Sequence, residues 1–291
     1  MRFAWLIIVA ACSSSVPERA TAAASPRPRT PIALTYLGVA GWQLDSGNTT
    51  ILADPYYSRP DLEAPLVPDE AAIAARAPAH VDLIVIGHSH VDHLLDAPAI
   101  AKRTGAQILG SRTTALVARA AGVAADRIIT IQGGEDFAMD GYSVRVISSL
   151  HSALDHKHAF GTALATTPVL PMGFGDYVEG GTFAYLVRIG GHDILFVSTA
   201  NFIERELEGV RPDVAILATG LREEIHDYTC RLLHVLGYPR LVYANHFDRW
   251  RKPPIDEPPD DDLRKFGAEV ARCSPNTRLV IPNHFERMEV R

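Results

Sequence analysis

The segment VDLIVIGHSHVDHLLD, Val81 to Asp96, limits this chain more than any other. Its apolar, β-branched start reads as a buried strand. At the mouth of that strand stand His88, His90, Asp92 and His93. In extended backbone alternate residues share a side, so His88, His90 and Asp92 converge, while His93, where a helix begins, turns to an adjacent direction. Two neighbouring pockets result. Imidazole nitrogens with a carboxylate are the ligand set for zinc or a similar first-row ion, manganese and iron included, and one such run supplies parts of two sites.

Composition removes whole classes of function. The chain has 291 residues, 47% hydrophobic and 21% charged, which is enough to bury a sizeable core. Its net charge of -6 and the lack of any Lys/Arg-rich run give a polyanion nothing to neutralise, so no nucleic-acid partner is expected. At the start, MRFAWLIIVAACSSS carries an apolar run too short to span a membrane and reads as a signal peptide over residues 1–11. Val9-Ala10-Ala11-Cys12 resembles the lipobox of bacterial lipoproteins, which would make Cys12 the lipidated first residue of the mature chain. Ser13 after it points to the outer membrane, with the protein facing the periplasm. A plain signal cut near Ala22 to Ala24 is the alternative. Residues 12–29, rich in Ser, Ala and Pro, read as a disordered tether. Of the later cysteines, Cys230 and Cys273 fit either a disulfide or two separate thiols.

From residue 30 to 291 the pattern predicts one mixed α/β domain. IALTYLGVAGWQLDSG and NTTILADPYYS read as two strands around a Ser-Gly-Asn turn. A helix is expected over Asp69 to Ala77, the strand over Val81 to Ile86, and a continuous helix from about Asp92 to Thr104 that Gly105 ends. Further strands are expected at AQILGS, RIITI, Tyr142 to Ser148, Val214 to Leu217, Leu241 to Ala244 and Arg278 to Ile281, with a helix over Thr113 to Ala121. TFAYLVRIGGHDILFVST reads as a hairpin turning at Gly190-Gly191. The run PPIDEPPDDD reads as a solvated loop.

With these residues in view, HSHVDH resembles the signature of the metallo-β-lactamase fold hydrolases. The order of the rest agrees. LTYLGVAGWQLDSGNTTILADPYYS resembles the opening strands of the branch related to ascorbate-phosphate lactonases, SSLHSA offers His151, and YANHFD offers His246. The resemblance runs from Ile32 to His246 and implies a four-layer αββα sandwich with metals at one edge. It assigns His88, His90 and His151 to a first metal, and Asp92, His93 and His246 to a second. It also exposes a departure. Where the family has a bridging aspartate, the strand ILFVSTANF offers Thr199, with Ser198 and Asn201 no better and Asp193 on the wrong side. Two close cations would then be under-neutralised, which puts the second ion in question.

The implied activity is a metal-dependent hydrolase that attacks an ester, lactone, amide or phosphodiester with a metal-bound hydroxide. A divalent ion brings the pKa of bound water down to about 7. Asp92 would also hold and deprotonate that water as the catalytic residue. Asp54 is expected to hydrogen-bond a ligand histidine. The Gly/Pro-broken stretch Ala159 to Gly181 reads as a wall or lid for a small-molecule or lipid substrate. His156 and His158 read as loop residues, and His80, His192, His226, His234 and His284 as structural. Two other readings compete: a phospholipase D-like hydrolase of membrane lipids, and a non-catalytic metal- or ligand-binding lipoprotein. For the anchor the expected result is that Cys12→Ala shifts the protein from the membrane fraction to the soluble one. Failure of labelled fatty acid to enter the wild-type chain would leave the plain signal.

Overall fold

Alternation along the buried strands decides the layering of this protein. A computed structural model describes residues 28–154, 157–158 and 162–291. The expected signal peptide, all but the last two residues of the expected tether, and His156 lie outside the described residues. The strands are β1 (Ile32–Gly38), β2 (Gly41–Asp45), β3 (Thr50–Ala53), β4 (Leu83–Val85), β5 (Gln107–Gly110), β6 (Ile128–Thr130), β7 (Asp136–Ala138) and β8 (Tyr142–Ser148). After them come β9 (Ala153–Leu154), β10 (Lys157–His158), β11 (Phe183–Ile189), β12 (His192–Val197), β13 (Val214–Ala218), β14 (Leu241–Asn245), β15 (Arg278–Val280) and β16 (Arg287–Val290). Among them run α1 (Glu70–Arg76), α2 (Val91–Leu94), α3 (Ala97–Thr104), α4 (Arg112–Ala120), α5 (Glu204–Leu207), α6 (Tyr228–Val235) and α7 (Asp261–Cys273).

Two seven-stranded sheets form, ordered β16-β1-β2-β3-β4-β5-β6 and β15-β14-β13-β12-β11-β8-β7. In the first, β3 to β6 run parallel; in the second, β12 to β15 do. Leu83 and Val85 of β4 face the other sheet, where they meet a core containing Tyr36, Trp42, Val144, Tyr185, Phe196 and Tyr243. Ile84 and Ile86 face the opposite way and pack with Leu94, Ile100 and Val117 from α2, α3 and α4. The second sheet repeats this scheme, with Val242 turned outward to Leu232, Leu233, Phe266 and Val270 of α6 and α7. The result is the four-layer αββα sandwich. Apolar side chains on both faces of the central strands require a covering layer on each side of either sheet.

The expected first strand is two strands. The chain reverses at Gly38–Gly41, where Gly38 and Val39 take φ of 95° and 56°. A side chain at position 41 would lie 2.9 Å from the Gly38 carbonyl oxygen, so the turn closes only around glycine.

The expected continuous helix from Asp92 is also divided, between α2 and α3. Asp96 sits at the break, fully buried, and accepts hydrogen bonds from the Tyr57 N–H at 2.5 Å, the Ser58 N–H at 2.9 Å and the Ser58 hydroxyl. Gly105 ends α3 in the left-handed region, as expected. The acidic run read as loop also needs correction at its end, because Asp260 caps α7 by accepting the Leu263 N–H. Two strands without a strong pattern, β7 and β16, extend the sheets at their edges. Cys230 and Cys273 form a disulfide joining α6 to α7.

Burial pushes the Asp96 carboxyl up to about 6, against the opposing pull of the Ser58 and Tyr57 donors. The folded chain therefore holds this proton more firmly than the unfolded chain does. The stability linked to it is full below 3.8 and is lost as pH rises through about 6. Asp96→Asn should flatten that slope in urea unfolding while costing about 1–3 kcal/mol through the lost acceptor. An unchanged slope would mean that Asp96 does not titrate there.

Candidate metal centre

Strand ends supply the site. His88 follows β4, His90 precedes the first turn of α2, and Asp92 and His93 lie within that turn. His151 follows β8 and His246 follows β14. All of these strands point their C-terminal ends at the same edge of the sandwich, and the side chains meet there. One group is His88, His90 and His151; the other is Asp92, His93 and His246; within each, one ligand-type atom per residue lies within 4.8 Å of the others. Each group thus takes two side chains from the first sheet and one from the second.

In the first group His88 Nε2 and His90 Nδ1 are 3.0 Å apart, and the His151 ring centroid lies 4.6 and 4.8 Å from theirs. In the second, Asp92 Oδ2 lies 3.5 Å from His93 Nε2 and 3.4 Å from His246 Nε2. The groups adjoin, with the His88 and His93 centroids 3.8 Å apart.

Orientation comes from behind. Asp54, at φ 43° just beyond β3, is fully buried; its Oδ1 accepts the Gly87 N–H at 2.7 Å and its Oδ2 faces His93 Nδ1 at 3.0 Å. Only glycine fits at position 87, since a Cβ would come within 2.2 Å of Ser198 Oγ and 2.9 Å of Asp54 Oδ2. His151 Nδ1 lies 2.9 Å from the Ser152 carbonyl oxygen, and Asn201 donates to the His151 carbonyl. An Nδ1–H committed to an oxygen leaves the Nε2 lone pair for a ligand role. His246 takes the left-handed conformation, φ 51°, while its N–H donates to the Val39 carbonyl at 2.8 Å.

Protonation fits the same role. Burial, together with the neighbouring imidazoles, holds His88 well below the ordinary histidine range, and burial holds His90 and His151 down to about 4. Burial opposes the charged forms of Asp92 and His93 too, but here the partners win. His93 and His246 keep Asp92 far below the usual carboxylate range, and Asp92 and Asp54 raise His93. His93 Nε2 is buried with no hydrogen-bond partner, its 3.5 Å approach to Asp92 being too long for one. Such an orphaned nitrogen costs stability unless something fills the gap. A divalent cation is the group that the neutral imidazoles of the first trio and the ionised carboxylate of the second fit.

Thr199 stands beside these residues, and its hydroxyl accepts the Ser152 N–H at 3.0 Å. It lines the cavity with both groups. Asp193 lies at the start of β12, at the other end of the strand from Thr199. Sequence reasoning missed Asp248, although it lies close to His246 in the chain. Its carboxylate accepts from the Val39 N–H at 2.7 Å, the Tyr36 hydroxyl at 3.0 Å and Arg59 at 3.1 Å, and lies 3.0 Å from His284 Nε2. His158 belongs to β10, paired with β9.

Above the histidines opens a cavity of about 720 Å³. Its apolar lining includes Leu154, Phe174, Tyr177, Leu221, Phe247 and Trp250. Of the stretch expected to form a wall, Thr162, Phe174, Gly175, Tyr177 and Val178 contribute to it, and residues 159–161 lie outside the described residues.

An αββα sandwich with a histidine-rich edge defines the class of metallo-β-lactamase fold proteins. The model of the beta-lactamase superfamily domain matches residues 33–229, and the chain belongs to that family, among its metal-dependent hydrolases. A metal-dependent hydrolase of Anaeromyxobacter sp. (strain K) is 33% identical over 254 residues, covering 83% of this chain and 84% of its own. Among solved structures, the metallo hydrolase Igni18 of the archaeon Ignicoccus hospitalis matches with a TM-score of 0.60 at 20% identity, over 90% of this chain and 99% of that one. CmlA of Streptomyces venezuelae, a diiron β-hydroxylase, has the same TM-score, 0.60, at 16% identity, over 92% of this chain and 55% of its own. The protein is a metal-dependent hydrolase.

Removing the carboxylate behind His93 should loosen the site without unfolding the chain. Asp54→Ala is expected to weaken metal binding by about 10–100-fold, read by competition with a chromophoric chelator. Wild-type affinity in a folded variant would show that His93 is oriented by something else.

Proposed function

We propose that this protein cleaves a carboxylic ester or lactone of a small molecule with an apolar part, using zinc held by His88, His90 and His151 and, more weakly, by Asp92, His93 and His246. The observation that carries this reading is the convergence of the two three-residue groups on the floor of a single apolar cavity. A divalent ion bound there supplies a Lewis acid and an acidified water. Asp92, the carboxylate of the second group, is the residue to orient that water and accept its proton. His88, His90 and His151, neutral at physiological pH, present lone pairs rather than charge. The cavity walls hold the apolar part of the substrate and exclude competing water. Overall, water adds across the acyl carbon–oxygen bond, giving an acid and an alcohol.

Zinc is favoured by a donor set of imidazoles with one carboxylate. Because the related CmlA is a diiron protein, iron and manganese belong in the same reconstitution series. The Cys230–Cys273 disulfide supports export to an oxidising compartment, in keeping with the proposed signal peptide and a lipid anchor at Cys12 on the periplasmic face of the outer membrane.

Expected values follow for metal content and turnover. His88→Ala and His246→Ala should each lose bound metal by mass spectrometry and at least about 100-fold in turnover of 4-nitrophenyl and lactone substrates, while staying folded by circular dichroism. Thr199→Asp should raise firmly bound metal from near one toward two ions per chain, since it returns a negative charge between the groups. Undiminished metal in the histidine variants would refute the ligand assignment, and two firm ions in the wild type would refute the charge argument.

A further inference from the structure

The cavity above the histidines contains charged groups with very different degrees of commitment. Asp248 is bound by Arg59 and His284. Asp262 is bound by Arg222 at 2.7 Å. Asp92 belongs to the second metal group. Nearby, Arg249 faces Glu257 at 3.6 Å. Arg251 differs from all of these. It lines the cavity, and no carboxylate among the described residues pairs with it.

Aromatic rings hold it instead. The Arg251 guanidinium carbon lies 4.7 Å from the Trp250 ring centroid and 5.7 Å from that of Phe174. Those two rings stack at 6.0 Å with an interplanar angle of 22°. Contact of this kind spends none of the guanidinium's N–H donors on a carboxylate and leaves them available. Leu154, Phe174 and Leu221, at 40%, 43% and 47% exposed, surround the same opening with uncovered apolar surface. A neutral apolar substrate would need the rings alone. The exposed cation beside them offers an anion a partner at the same opening.

We propose that the substrate is an amphiphile whose apolar part lies against the Phe174–Trp250 wall and whose single anionic group, a carboxylate or a phosphate remote from the scissile bond, is held by Arg251. This rests on the hydrolase reading and narrows it. Arg251 then acts as a specificity residue. It contributes binding through charge-assisted hydrogen bonds, which are stronger than neutral ones when planar N–H donors meet a planar or tetrahedral oxyanion.

Binding and turnover are to be measured separately on the metal-loaded protein. The binding probe is octane-1-sulfonate, whose headgroup is a weak metal ligand, with octan-1-ol as the neutral comparison. By titration calorimetry the wild type should hold the sulfonate at least about ten-fold more tightly than the alcohol, a difference of about 1.4 kcal/mol. Arg251→Gln should erase that preference and leave octan-1-ol binding unchanged. In turnover, mono-4-nitrophenyl suberate should exceed 4-nitrophenyl octanoate in kcat/KM in the wild type and lose that lead in Arg251→Gln. No preference in the wild type, or equal losses for both probes in the variant, would overturn the proposal. Sulfonate discrimination without cleavage of any ester would support the anion site and refute only the ester chemistry. Ester cleavage indifferent to Arg251 would do the reverse. If Arg251→Gln abolishes attachment to phosphatidylglycerol vesicles but not octane-1-sulfonate binding, Arg251 serves a bilayer surface and the proposal falls.

Discussion

The carboxylate of Asp54 is the interaction on which the site depends, because it joins three parts of the chain in a fully buried place. One oxygen takes the Gly87 main chain and so fixes the loop that carries His88 and His90; the other faces His93. A buried charge is tolerated only when it is matched, and the histidine across from it is drawn toward its protonated or donating form. Close packing around Asp54 also restricts position 87 to glycine. Any side chain there would push between the carboxylate and Ser198.

A second tie does for the opposite sheet what Asp54 does for the first. The turn between β1 and β2 accepts the His246 N–H at the Val39 carbonyl and donates the Val39 N–H to Asp248. Asp248 is itself secured by Tyr36, Arg59 and His284. His246 therefore keeps a left-handed backbone that an unsupported histidine would leave, the strain being met by bonds on both sides of it.

Much of this was legible in the sequence for one physical reason: ligand-type residues in a short run against a buried strand have few explanations. The periodicity of β4, the Gly-Gly turn between β11 and β12 and the cap at Gly105 are local signals, and local signals survive without a structure. Long-range partners do not. Asp248, Arg59 and His284 come together from distant parts of the chain, and nothing in their neighbours' types marks them. The break between α2 and α3 was hidden for the same reason, since Asp96 is called on by Tyr57 and Ser58 across the fold. The strand β16 reads as an ordinary polar ending until β1 is present to pair with it.

Each three-residue group draws two members from the first sheet's connections and one from the second's. The faces of these sheets otherwise meet through apolar side chains, which resist separation strongly but sideways slip only by interlocking shape. A cation bound by either group would act as a rivet through that shear plane. Its occupancy would stabilise the native state by mass action, and the free metal concentration around the protein would then set how firmly the two halves of the sandwich stay in register.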